Sequence, residues 1–156
     1  MVDNLLSFLT YENIYLMANI GVIPCWVLLI FSPNHIITKF FVKSVIIPLL
    51  LSTAYIFVSY QIFITENIFD VFNLYLGIEE LYSLFSNEGF LLIFWLHFLS
   101  ISLFAGNWIV NDSKIHMVPK FFTIISLITT YFTGPFGLVI YWLIRVFYSK
   151  KINYYD

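Results

Sequence analysis

The sequence predicts an all-α membrane protein: a four-transmembrane-helix bundle with a short interfacial helix between spans two and three. Three observations lead to this fold class: an apolar composition, four apolar runs of helical length, and the lack of strict strand-like alternation in them. Of the 156 residues, 61% are hydrophobic and 10% are charged, whereas soluble domains are about 25% charged. A water-soluble chain of this composition would expose large apolar patches, so lipid is the solvent that suits it.

The four apolar runs are each about long enough to cross a bilayer, which takes ~20 residues of helix. Only helices and closed barrels satisfy their backbone polar groups in lipid, and barrel strands would alternate strictly. We therefore expect a single integral membrane domain over residues 1–156, multi-pass, with the lipid bilayer as its first partner. The predicted spans cover residues 14–31, 42–64, 90–110 and 121–147.

The connection between spans two and three is acidic and has helical periodicity in one part. From Ile78 to Phe85 the apolar residues recur at helical spacing, while Glu79 and Glu80 share the other face. This pattern predicts a short helix lying in the headgroup layer. An ordered acidic loop is the alternative.

Composition excludes several classes of function. A net charge of −2 offers no electrostatic footprint for nucleic acid. The single cysteine, Cys25, excludes an internal disulfide and cannot build a thiolate metal cage alone. The sequence also has no nucleophile elbow, zinc-protease motif or nucleotide-binding loop. We expect no metal and no dedicated cofactor.

An ionisable residue inside an apolar span is a functional hypothesis by default, and His97 lies inside span three. Traced by depth along the predicted helices, Asn19, Gln61, Tyr141 and Arg145 fall in the same layer. Such a layer would hold a polar ligand group or a proton relay. The alternative is a set of interhelical hydrogen bonds that hold the bundle together.

A second polar layer is predicted at the opposite end of span three, at Trp108 and Asp112. A helix C-terminus disfavours negative charge, so we expect Asp112 to pair with Lys39 or Lys114, or to cap the following turn. On one straight helix His97 and Asp112 would lie ~22 Å apart, too far to act on one bond. In span four, Gly134, Pro135 and Gly137 are expected to bend the helix.

Several motifs occur in a fixed order along most of the chain. They are Asn19, Pro24 and Trp26; Phe31, Pro33 and Thr38; Trp95, His97, Phe98 and Leu99; the stretch 103–113; Pro119; and the stretch 134–145. In this order the set resembles the abscisic-acid-deficient-four-like membrane family, whose plant members are associated with neoxanthin synthesis and which also has bacterial and cyanobacterial members.

The resemblance implies a protein that acts on a carotenoid, either as substrate or as bound pigment. Neoxanthin forms from violaxanthin by opening an epoxide to an allene, which requires an acid and a base. The implied catalytic residues are His97, Tyr141 and Arg145. Binding residues in an aromatic-lined groove would be Asn19, Trp26, Trp108 and Asp112. The implied location is a bacterial plasma membrane or a thylakoid or other plastid membrane.

Two positions depart from the family pattern. The family commonly has an aspartate five residues past the histidine, where this chain has Ser102, and many members have a histidine where this chain has Lys120. These departures leave open a non-catalytic small subunit of a larger, photosynthetic or other, membrane complex. A small proton-linked transporter is the further alternative suggested by the polar layer.

Overall fold

The computed structural model describes residues 8–44, 46–65 and 68–150, and the regular elements in those ranges are helical. Within these described ranges, six α-helices follow one another, with a π-helical turn at Thr38–Val42 and a 3-10 helix at Ile68–Tyr75. The α-helices are α1 Tyr11–Phe31, α2 Ile46–Thr65, α3 Ile78–Phe85, α4 Glu88–Ile115, α5 Lys120–Thr133 and α6 Pro135–Ser149.

Three stretches of the described chain are long and apolar enough to cross a membrane: Tyr11–Phe31, Thr38–Thr65 and Glu88–Ile115. They coincide with the first three spans predicted from the sequence. Pro24 lies inside α1 without ending it, as transmembrane helices allow where neighbouring groups satisfy the freed carbonyl.

The fourth predicted span, residues 121–147, is not one continuous helix. Two helices replace it, α5 of 14 residues and α6 of 15 residues, and each is about 21–23 Å long at 1.5 Å per residue. The chain breaks at Gly134, whose φ of 57° lies in the region that favours glycine. Pro135 then occupies the first turn of α6, where its missing N–H is harmless.

Helices α5 and α6 fold back on each other as an antiparallel hairpin. Near its tip, Gly137 packs directly on the backbone and hydroxyl of Thr130. At its open end, the rings of Phe122 and Tyr148 lie 6.1 Å apart. A straight helix would separate Phe122 from Tyr148 by about 39 Å, so these contacts require the reversal at Gly134.

The segment between α2 and α4 contains the short helix that the sequence predicts. Helix α3 covers Ile78–Phe85, with Glu79 and Glu80 in its first turn and no buried residue. Two of its apolar side chains are largely exposed, Ile78 at 81% and Tyr82 at 78%. The placement of α3 in the headgroup layer stays a prediction.

By its internal contacts the chain divides into two compact units. One comprises the described parts of Met1–Gly21 and Pro48–Ser100, and the other those of Val22–Ile47 and Ile101–Asp156. In the first unit, Val58, Ile62 and Leu96 are buried. In the second, the hairpin and the end of α4 bury Ile109, Leu127 and Tyr141.

The length of the hairpin leads to a prediction about membrane topology. Neither α5 nor α6 reaches across a hydrocarbon core of about 30 Å, and apolar segments of this length are typical of re-entrant elements. We expect Lys120→Cys and Lys150→Cys, each in a Cys25→Ala background, to react with a membrane-impermeant maleimide from the same side. Reaction from opposite sides would mean that residues 120–150 cross the membrane.

Candidate functional site

A buried cluster of polar side chains connects the end of α4 to the hairpin. The Asp112 Oδ2 atom accepts a hydrogen bond from the Tyr141 hydroxyl at 2.6 Å and another from Arg145 Nε at 2.8 Å. Both donors therefore converge on a single carboxylate oxygen, and one of the two bonds is a full ion pair. Charge-assisted bonds of this kind are about twice as strong as neutral ones.

His116 completes the cluster at its outer edge. Its Nε2 atom lies 3.0 Å from the Nη2 atom of Arg145 and 3.6 Å from Asp112 Oδ1. Because a guanidinium nitrogen can only donate, the short contact assigns Nε2 as the acceptor and puts the imidazole proton on Nδ1. The His116 side chain is 10% exposed, so this ring lies between the buried carboxylate and the surface.

Helical spacing and the chain reversal together assemble these four residues. Asp112 and His116 are four residues apart on α4, and Tyr141 and Arg145 are four residues apart on α6, so each pair shares one helix face. The hairpin then returns α6 to the end of α4, which brings the two faces into contact.

Burial makes this cluster energetically demanding. Tyr141 is 0% exposed, Arg145 2% and Asp112 7%. Removing two charges from water costs several kcal/mol per ion, a cost that close pairing and further hydrogen bonds offset. Tyr141 and His116 supply such bonds. Charged side chains are rarely this buried unless they are paired, which makes this cluster the leading candidate site.

An apolar groove of about 310 Å³ lies against the same cluster. It opens between α4 and α6 and is lined by Trp108, Leu138, Val139, Trp142 and Leu143. The Trp108 ring meets the Tyr141 ring edge-on at 5.4 Å. Trp108 therefore lies between the groove and Tyr141, and its side chain contacts both.

Four of the residues predicted for the site are therefore together: Trp108, Asp112, Tyr141 and Arg145. Their predicted arrangement is wrong in two respects. Tyr141 and Arg145 contact Asp112, whereas the depth argument placed them in the opposite polar layer. Asp112 pairs with Arg145, whereas Lys39 or Lys114 was expected. Both errors follow from treating residues 121–147 as a single span that bends but does not reverse direction.

His97 does not join this cluster. Its side chain is exposed. Asn19 lies in the first unit, where its Oδ1 accepts from Trp95 Nε1 at 3.2 Å and its Nδ2 donates to the Tyr15 carbonyl. That arrangement matches the alternative reading of Asn19 as an interhelical hydrogen bond. The catalytic role of His97 and the binding role of Asn19 stay predictions.

Trp26 is a packing residue in the second unit. It is 3% exposed, and its ring meets Tyr131 edge-on at 5.5 Å. A Cβ atom at Gly106 would come within 2.8 Å of the Trp26 ring, so the glycine lets the indole lie flat against α4. A binding role for Trp26 stays a prediction.

Within the ranges that the structure describes, no group of three or more His, Cys, Asp or Glu side chains is placed to hold a metal ion. At the cluster itself, Arg145 occupies the space beside Asp112 and His116 where a cation would bind. Its fixed positive charge opposes a metal at that position.

His116 is the site residue that the sequence analysis did not select. His116 could be identified from its spacing to Asp112, because residues four apart lie on the same face of a helix. The motif stretch ends at Ser113 and so does not include His116.

Three apolar helices of membrane-spanning length, a helical hairpin and a buried charge cluster define this chain as an all-helical membrane protein. Its family is equally clear: the family model described as ABA DEFICIENT 4-like matches residues 13–141, and the chain belongs to that family. The match includes Asp112, His116 and Tyr141 and ends four residues before Arg145. No curated protein and no solved structure matches the chain.

Proposed function

We propose that this protein binds an epoxy-carotenoid and rearranges the epoxide of one end group within the membrane. The observation that supports it best is the shared position of Trp108, which lines the apolar groove and contacts Tyr141 of the buried cluster. An apolar ligand in the groove would contact Trp108, whose ring packs against Tyr141 of the buried cluster. Family membership supports the same ligand class.

The groove suits one end of a long polyene. Its volume of about 310 Å³ is at the lower end for small-molecule sites, which span about 300–1,000 Å³. We therefore place the cyclic end group in the groove and the rest of the polyene along the lipid-facing surface. The exposed apolar side chains of Val139 and Leu143 would continue the contact.

The proposed reaction balances without a redox partner. A proton is added to the epoxide oxygen, one carbon–oxygen bond breaks, and the oxygen remains on the ring as a hydroxyl. A proton leaves the adjacent polyene carbon, and its bonding electrons complete an allene. One proton enters and one leaves, so the site needs a group that can exchange protons.

His116 is the group in this cluster best suited to exchange protons. Imidazole is the side chain whose ordinary titration range is nearest to neutral pH, and His116 lies at the partly exposed edge. Tyr141 already donates its hydroxyl proton to Asp112, so we assign it a positioning role with Arg145. This assignment moves the proton-exchange role from His97 to His116.

We further propose that the protein is a multi-pass protein of a bacterial plasma membrane or a thylakoid or other plastid membrane. The three long apolar helices support several crossings. Family membership supports the choice of membranes, because carotenoids are made and used there.

A reconstitution with a purified epoxy-carotenoid tests binding and reaction together. Val139→Trp fills the groove, and we expect it to lower bound pigment about tenfold or more, since the lost apolar contact is worth roughly 1.5–3 kcal/mol. Val27→Trp is the matched control, because Val27 is a comparably exposed valine on α1. Visible absorption of the detergent-purified protein measures the bound polyene.

The reaction is measured on the same reconstituted protein by chromatography of the extracted pigment. We expect His116→Gln to lower conversion at least ~100-fold, the usual contribution of a general acid or base, and to leave bound pigment unchanged. His97→Gln should leave both unchanged. Equal amounts of bound pigment in Val139→Trp and Val27→Trp would contradict binding of the carotenoid in the groove. Full conversion by His116→Gln would contradict the proton-exchange role of His116.

A non-catalytic subunit is the second candidate, favoured by the exposed apolar face of α3. Ile78 and Tyr82 remain largely exposed there, beside Glu79 and Glu80. Such a face fits either the headgroup layer or a larger membrane partner. Pigment binding without any conversion by the wild-type protein would favour this candidate over the enzyme.

A further inference from the structure

Three lysines gather where the connection between α1 and α2 meets the end of α4. Lys43 Nζ donates to Asn111 Oδ1 at 2.9 Å, and Lys114 Nζ donates to Asn34 Oδ1. Each ammonium has three N–H donors, so each of these bonds leaves donors available. Lys39, on the π-helical turn, lies close enough to Lys43 to affect its charge.

These positive charges have no acidic partner among the residues that the structure describes. The nearby carboxylate of Asp112 is engaged with Arg145 and Tyr141, and no ion pair in the described ranges includes a lysine. The Lys43, Lys114 and Lys39 ammonium groups lie close enough to repel one another electrostatically. Like charges held this close favour a bound anion.

The connection that holds the lysines is itself fixed by hydrogen bonds. The Thr38 hydroxyl donates to the Ser32 carbonyl at 2.6 Å, and Asn107 Nδ2 donates to the Val42 carbonyl at 2.8 Å. Thr38 and Val42 are fully buried. The ammonium groups therefore project from an ordered segment, which reduces the entropy lost when a ligand binds.

The surroundings of the lysines are apolar and exposed, which distinguishes a lipid from a free anion. Ile36, Ile37, Phe40 and Phe41 leave large parts of their side chains uncovered, and the two phenylalanine rings meet edge-on at 5.0 Å. Basic side chains next to exposed aromatic and aliphatic ones are typical of segments that lie at the headgroup layer. A soluble phosphate would gain nothing from those apolar groups.

We propose that Lys43 and Lys114, assisted by Lys39, bind the phosphate of an anionic phospholipid, with the apolar side chains of the connection contacting its acyl chains. The site is separate from the carotenoid groove, which lies between α4 and α6. It would anchor this end of α4 at the membrane surface that is rich in anionic lipid.

Native mass spectrometry of the delipidated protein tests this site with phosphatidylglycerol and phosphatidylcholine of identical acyl chains. We expect the wild type to prefer phosphatidylglycerol and the Lys43→Gln/Lys114→Gln variant to bind it roughly thirtyfold more weakly, at about 1 kcal/mol per lysine near the surface. Lys120→Gln is the matched control and should retain wild-type binding. Lys43→Arg/Lys114→Arg keeps both charges and should also retain most of the binding.

Three outcomes would overturn the proposal. One is equal binding of the two lipids by the wild type, and another is unchanged phosphatidylglycerol binding by the double glutamine variant. The third is displacement of the lipid by millimolar inorganic phosphate, which would identify a free anion as the ligand. Retained binding by the arginine variant, with loss in the glutamine variant, would separate a charge effect from a folding defect.

Discussion

Asp112→Ala is expected to destabilise the second unit by about 3–5 kcal/mol, because it removes one partner of a buried ion pair. The Arg145 guanidinium is 2% exposed, and its Nε atom lies 2.8 Å from the Asp112 carboxylate. Without that carboxylate the positive charge stays buried and uncompensated. The midpoint of thermal unfolding in mild detergent should fall well below that of the wild type.

A double variant distinguishes a charge effect from a general loss of packing. Asp112→Ala/Arg145→Met removes both charges, and replacing a buried pair by apolar side chains is often nearly neutral. We expect this variant to recover most of the stability that Asp112→Ala loses. Tyr141→Phe removes one hydrogen bond to a charged group and should cost only about 1.5–3 kcal/mol. A double variant less stable than Asp112→Ala would contradict the coupling.

The composition of the candidate site could be predicted in part from the sequence, because rare polar residues stand out in an apolar chain. Asp112 was unusual at a helix C-terminus, and Tyr141 and Arg145 were unusual in a late apolar run. Their mutual contact could not be predicted, because it depends on a chain reversal between residues 112 and 145. The same error left Arg145 out as the partner of Asp112, for which Lys39 or Lys114 was predicted.

The long helices could be predicted because hydropathy and length determine them almost alone. Prediction of the hairpin depends on interpreting two neighbouring residues, Gly134 and Pro135. Proline in the middle of a helix indicates a kink, but glycine followed by proline also matches the end of one helix and the first turn of the next. A kinked helix and a reversal between two helices have the same total hydrophobicity, so hydrophobicity does not distinguish them. The distinction lies in the positive φ of Gly134, which a sequence does not display.

The hairpin itself depends on the absence of a side chain at position 137, and Gly137→Ala tests this. A Cβ atom there would collide with the backbone N and Cα atoms of Thr130 and with its hydroxyl. Backbone atoms cannot rotate away, so α5 and α6 must separate near their tip. We expect a loss of about 3 kcal/mol or more, at or above the usual range for overpacking, measured as thermal unfolding in detergent.

Gly21→Ala is the control for the effect of the substitution itself. Gly21 lies inside α1, and a Cβ atom there would meet no heavy atom within 4 Å. Since alanine favours a helix interior over glycine by about 1 kcal/mol, this variant should be as stable as the wild type or slightly more so. The separation caused by Gly137→Ala should also weaken the contact between Arg145 and Asp112, because α6 presents Arg145 to α4. Unchanged stability of Gly137→Ala would mean that α5 and α6 do not pack closely, and the buried cluster would then lose its structural basis.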